Sequence, residues 1–253
     1  MKSLTLLLAG MLFSLCANSQ ISVSMGDTLA TLLTGPEHPL TISVLGDSYV
    51  KNHRRPFEET WHFKAAYKAG MNYLNYGRNG GCVAFDRTKE GFGPSLMERY
   101  QELEPNSDIV VIIAGHNDAV KIGKSKELLL AFADSALILI DRIHAQCPHA
   151  SVGWVTPWFV DEPGFKEVCK TIKAVCKKKG VPVLWNYSKQ CVVKVRDGNF
   201  RKQYFQAPND TAHLNAAGHD LFLPEGEKFL KKLTNTYFSK YSLGRQKAHD
   251  GEQ

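Results

Sequence analysis

Short unbroken apolar runs alternate along this chain with longer stretches in which apolar residues recur at helical spacing. Five runs read as strands: 41–46 (with Thr41, Ile42, Val44 and Leu45), 71–76, 108–115, 151–157 and 181–187. DIVVIIAG, residues 108–115, is apolar without interruption, the pattern of a parallel strand buried on both faces. Helical spacing predicts helices over 61–69, 94–103, 124–145, 164–179 and 216–237, the third long and amphipathic and the last broken near Pro224. A further short helix around Leu29, Leu32 and Leu33 ends at Gly35-Pro36. Strands alternating with helices imply right-handed crossovers and a three-layer α/β/α sandwich around a five-stranded parallel sheet. The loops that follow the strands then open on one edge, where such sheets place their sites.

The ends of the chain change this picture. Lys2, an apolar stretch from Leu4 to Leu15 and the small residues Ala17-Asn18-Ser19 have the form of a secretory leader. The expected organisation is a signal peptide at 1–19, one domain at 20–241 and a polar, mobile tail at 242–253. The expected destination is secretion or the periplasm, with no stable membrane insertion after removal of the leader. The 253 residues carry a formal charge of +6, or +5 without the leader, whose only charge is Lys2. No basic stripe with interleaved aromatics occurs, so nucleic acid is not an expected partner. Of the six cysteines Cys16 lies in the leader. The other five (Cys82, Cys147, Cys169, Cys176, Cys191) allow at most two disulfides and show no zinc spacing.

The chemistry-bearing residues cluster in four of the post-strand loops: Ser48 after the first strand, Gly80 after the second, Asn117 after the third, and Asp210 with His213 after the fifth. A serine nucleophile requires a base, a group that orients the base, and donors for a developing oxyanion. Ser48, His213 and Asp210 supply the first three. The backbone amides of Ser48 and Gly80 and the side-chain amide of Asn117 supply the donors. Glycine at 80 permits close approach of backbone and substrate. His116, Arg78 and Trp158 are candidate substrate contacts; no metal site and no cofactor is expected. Asp47, Asp118 and His219 read as structural. No Gly-x-Ser-x-Gly elbow occurs anywhere.

These stretches resemble the blocks of the SGNH hydrolases, the GDSL esterase/lipase family. Gly46-Asp47-Ser48 is similar to the first block, Asn75 to Gly80 to the second, Gly115-His116-Asn117-Asp118 to the third, and Asp210-Thr211-Ala212-His213 to the fifth. The resemblance runs from about 41 to 235. Tyr49 and His116 depart from the residues usual there. The resemblance implies a flavodoxin-like sheet, no metal, and ester hydrolysis through an acyl-enzyme.

The polar and basic loops 51–60 and 86–93 beside Ser48 point to a polar ester, with carbohydrate O-deacetylation the leading expectation for a small-molecule or glycan substrate. A lipase or lysophospholipase would call for an apolar rim, which these loops do not supply. A transferase with the same residues, and a non-catalytic glycan-binding module on the same scaffold, are the remaining readings.

Overall fold

A computed structural model describes residues 39–250, with side chains through Lys240. The leader and the short helix expected near 29–33 lie outside the described residues. From Leu40 onward the chain is one compact unit.

The sheet forms in the order β2-β1-β3-β4-β5 and is parallel throughout: β1 is Thr41–Gly46, β2 Asn72–Gly77, β3 Ile109–Ile113, β4 Ser151–Val155 and β5 Val183–Leu184. β1 lies between β2 and β3, with Gly46 in register with Gly77 and Ile113. Chain order therefore reverses direction across the sheet at β1, and Ser48 follows the strand at this switch point. Every residue of β3 is buried, as its unbroken apolar run requires.

Eight helices cover the described residues: α1 Ser48–Lys51, α2 Trp61–Lys68, α3 Leu96–Arg99, α4 His116–Ile122, α5 Lys126–Gln146, α6 Phe165–Lys179, α7 Gly198–Tyr204 and α8 Ala216–Asp250. α5 buries Phe132, Ala136, Leu139, Ile140 and Ile143, one stripe at helical spacing. Each of its large apolar side chains contributes roughly 1.5–3 kcal/mol on burial. α8 lies against α2 and crosses β4. Two glycines make that approach possible. A Cβ on Gly226 would stand 2.2 Å from the Trp61 ring, and one on Gly153 2.8 Å from Leu233 and Phe229.

The structure departs from the pattern of the sequence in several places. β5 has two residues, not the seven of 181–187. Beyond Leu184 the chain exchanges ladder partners for a side chain: the Asn186 amide donates to Thr156 Oγ1 at 2.8 Å. α8 is not broken at Pro224 and runs to Asp250. Pro224 removes one backbone donor. It sits on the exposed side, while Phe222, Leu223, Phe229, Leu230 and Leu233 hold the other face in the core. α1, α4 and α7 have no counterpart in the reading of the periodicity, because four to seven residues span too few turns to show one. All five cysteines of the described residues are free, so neither allowed disulfide forms.

Candidate active site

Ser48 opens α1 immediately after β1. Its placement depends on a backbone crossing with no room for a side chain: a Cβ on Gly46 would lie 2.1 Å from the Ile113 carbonyl oxygen of β3. Asp47 caps α1 by accepting the Tyr49 amide on Oδ1 at 2.9 Å. Ser48 Oγ stands 2.8 Å from His213 Nε2, and His213 Nδ1 stands 2.9 Å from Asp210 Oδ2. The other oxygen of Asp210 accepts the amides of Ala212 and His213 at 2.8 and 2.9 Å. A carboxylate beside Nδ1 can only accept, so Nδ1 carries the proton and Nε2 presents its lone pair to the serine hydroxyl. Burial alone would raise the Asp210 carboxyl; the His213 ring and the two amides outweigh it and hold it below its usual value. This is the hydrogen-bonded chain of a serine activated by a neutral imidazole.

Two backbone donors in the loops that follow β1 and β2 are uncommitted. Among the described residues, the Ser48 and Gly80 N–H groups have no acceptor within the chain. Gly80 adopts φ +72, and a Cβ there would meet the Phe92 ring at 2.3 Å. Both the conformation and the close ring call for glycine. Arg87 Nη1 donates to the Gly80 carbonyl at 2.9 Å, and its guanidinium lies 4.3 Å from the centre of the Phe92 ring. The loop 86–93 is thereby braced over Gly80. Asn117, in the first turn of α4, donates from Nδ2 to the Gly81 carbonyl at 3.0 Å. That bond uses one amide hydrogen and leaves the second for an incoming oxygen. The next residue, Asp118, accepts the Val83 and Ala84 amides at 2.9 and 3.0 Å. Consecutive residues of α4 thus fix the loop that carries Gly80.

The buried acids near the serine are strongly perturbed. Burial pushes Asp47 up to about 8, against the Tyr49 amide and with help from the charge of Asp118. Burial likewise lifts Asp118 to about 6, although two amides oppose the shift. Asp47 Oδ2 has no partner. Burial thus favours the protonated form of Asp47 and lessens the negative charge behind Ser48.

The residues expected to contact substrate divide. His116 sits beside the site, but its Nδ1 is bonded to the Tyr49 hydroxyl at 3.0 Å and its ring packs on Phe165. Burial lowers it to about 4, so it is neutral. Trp158 is not an open stacking platform. It is 3% exposed, stacks on Tyr49, and donates from Nε1 to the Ala212 carbonyl at 2.9 Å, supporting the His213 loop from within. Arg78 is tied to Glu102 at 2.6 Å, an acid it shares with Arg99. Arg55 and Arg87 are also paired with acids, Glu59 and Glu90. His219 is structural, as its place in the sequence suggests: its Nε2 bonds Asn52 Oδ1 at 3.2 Å.

One residue in the site has no sequence signal. His53, beyond the end of α1, stacks on His213 with ring centres 4.4 Å apart and planes at 15°. It lies in the polar loop 51–60, where nothing in the residue order distinguishes it from its neighbours. Its consecutive positive φ angles with Asn52, +51 and +67, fold the loop back over the histidine.

A parallel sheet that carries a Ser-His-Asp chain, without the Gly-x-Ser-x-Gly strand-turn-helix elbow, defines a class of serine hydrolase apart from the ordinary α/β-hydrolases. Residues 44–221 match the family model of the GDSL-like lipases and acylhydrolases. The chain belongs to that family and is an SGNH-type ester hydrolase. No curated protein matches it in sequence. Among solved structures, a protein from Lactobacillus plantarum is similar with a TM-score of 0.64 at 18% identity, over 78% of this chain and 99% of the other. A member of the lipolytic G-D-S-L family from Veillonella parvula is similar with a TM-score of 0.55 at 15% identity, over 77% and 100%. An acetyl xylan esterase, AlAXEase, is similar with a TM-score of 0.52 at 14% identity, over 74% and 97%. At these identities the likeness is one of fold.

Proposed function

We propose that the protein is a secreted carbohydrate O-acetyl esterase that works through an acyl-enzyme on Ser48. The observation that carries the catalytic part is the unbroken chain Ser48 Oγ to His213 Nε2, then His213 Nδ1 to Asp210 Oδ2. Ser48 Oγ attacks the ester carbonyl carbon while its proton passes to His213 Nε2. The carbonyl oxygen becomes an oxyanion held by the Ser48 and Gly80 amides and the second hydrogen of Asn117 Nδ2. Collapse breaks the bond to the alcohol, which leaves with the proton from His213. Water, deprotonated by the same histidine, then releases the acid and restores Ser48.

The choice of acyl group and alcohol rests on the surroundings. Phe92 and Arg87 brace the loop over Gly80, which holds the proposed oxyanion donor. The polar, basic loop 51–60 suits an alcohol rich in hydroxyls. The likeness to an acetyl xylan esterase agrees with this choice, and the leader-like N-terminus with an extracellular substrate. The test is hydrolysis of p-nitrophenyl esters of increasing chain length, parent against Ser48→Ala, followed by acetylated sugars. Serine-dependent activity greatest on acetate is expected. Activity that rises with chain length would replace this reading by a lipase, and no serine-dependent activity on any ester would replace it by a binding module.

A further inference from the structure

The geometry points to His53 as a positioning residue for the esterase: its neutral ring forms a face against which the His213 imidazolium is held and stabilised during acyl transfer. This rests on the esterase reading above and extends it to a residue outside the Ser-His-Asp chain.

Two hydrogen bonds fix His213 along its edge, to Asp210 and to Ser48. Its two flat faces are held by packing alone, and the Tyr49 ring meets it edge-on with centres 6.3 Å apart. The stacked ring of His53, 4.4 Å away and nearly parallel, covers one of those faces. The loop that presents His53 is itself anchored. Asn52 Nδ2 donates to the Pro56 carbonyl, and Asn52 Oδ1 accepts from Gln206 Nε2 at 3.1 Å and His219 Nε2 at 3.2 Å. The His53 carbonyl accepts Asn79 Nδ2 at 3.3 Å, next to Gly80. His53 is thus connected both to the histidine and to the loop of the oxyanion donor.

The charge of the stacked ring matters in both directions. A neutral aromatic face attracts a cation lying over it. His213 becomes a cation in the step where it takes the serine proton, so the attraction is greater then than in the resting enzyme. A protonated His53 would instead set one cation on another. The charged and titratable groups around His53 are His213 and Asp210 on the facing loop and Arg54 beside it. Desolvation is the largest influence, followed by His213 and Arg54, and together they keep His53 neutral to lower pH than a free histidine, against the pull of Asp210.

Steady-state kinetics of His53→Asn and His53→Phe on p-nitrophenyl acetate test this. Asparagine tolerates the left-handed backbone at 53 and removes the ring. We expect kcat about tenfold lower, the loss of roughly one cation-ring contact, with KM changed less than about twofold. Phenylalanine keeps a face and cannot be charged. It should restore kcat to within about threefold near neutral pH, and its kcat should fall toward acid with a single proton where the parent falls more steeply. Thermal melts of both variants establish that they are folded. An unchanged kcat in His53→Asn, a His53→Phe as slow as His53→Asn, or coincident acid limbs in parent and His53→Phe would overturn the inference. Absence of Ser48-dependent turnover in the parent would overturn the esterase reading, and this inference with it.

Discussion

At the scale of single residues, Asn117 is the most informative position after the serine itself. Its side chain bonds Gly81 with one hydrogen and leaves the other uncommitted. Asn117→Ala removes an oxyanion donor and also a tie to the loop of Gly80. We expect kcat to fall ~100- to 1,000-fold, the usual cost of one such donor, with KM little altered. Pre-steady-state acylation with a chromogenic acetate ester would check it, and an unchanged acylation rate would remove Asn117 from the oxyanion site. Asn117 is legible in the sequence because it stands two residues beyond the most apolar run of the chain. Asp210 and His213 are legible because they stand three positions apart, and a single turn brings both to Ser48. His53 and Phe92 are not legible. Each acts through a contact made by a folded-back loop, and neither contact has a fixed spacing from the residue it touches.

At the scale of elements, the site depends on how closely α1 lies against β2. A Cβ on Gly77 would fall 2.3 Å from the Lys51 nitrogen and 2.7 Å from the Val50 carbonyl carbon. These are backbone atoms of the helix that Ser48 begins, and they cannot turn aside as a side chain can. Gly77→Ala should therefore shift α1 and destabilise the fold by about 1–3 kcal/mol, as overpacking does. Because the shift moves the nucleophile, kcat should fall more than the stability change alone would suggest. Urea midpoints and turnover measured on the same preparation separate the two effects. The long elements were readable from pattern because many turns or an unbroken apolar run leave a periodic trace: α5, α6 and β3 fall close to the expected spans. β5 was overestimated because an apolar edge segment looks like a strand whether or not its neighbour continues beside it. Only Val183 and Leu184 have partners, in Trp154 and Val155.

At the scale of the whole molecule, buried ionisable groups set the response to pH. Burial holds His62 and His116 down at about 4 and His219 well below its ordinary value. Unfolding frees them to bind protons near 6.5, so the stability they support is complete above that pH and is lost as pH falls toward 4. Asp47 and Asp118 act in the opposite sense. Their folded values of about 8 and about 6 stand above the unfolded 3.8, so their cost is absent in acid and grows as pH rises through 6 and on to 8. Below about pH 6 the three histidines outnumber the two carboxyls; above about 6.5 Asp47 alone still changes. Maximum stability is expected near pH 6.5 to 7, with decline on both sides. Denaturant midpoints from pH 4 to 9 would show this, and Asp47→Asn should flatten the alkaline side. A profile that keeps rising through pH 8 would mean that Asp47 ionises freely. The parallel sheet and the place of the site on its carboxyl edge follow from strand-helix alternation, whereas this set of buried charges does not, because burial of a particular histidine or aspartate is decided by its three-dimensional neighbours.

The bond between Ser48 and His213 joins positions 165 residues apart, with β2 to β5 and the six helices α2 to α7 between them. A chain emerging from the ribosome makes its nucleophile well before its base. Without the loop before α8 in place, Ser48 lacks its base and has the reactivity of any serine. Turnover therefore reports that two parts of the chain far apart in sequence are folded together.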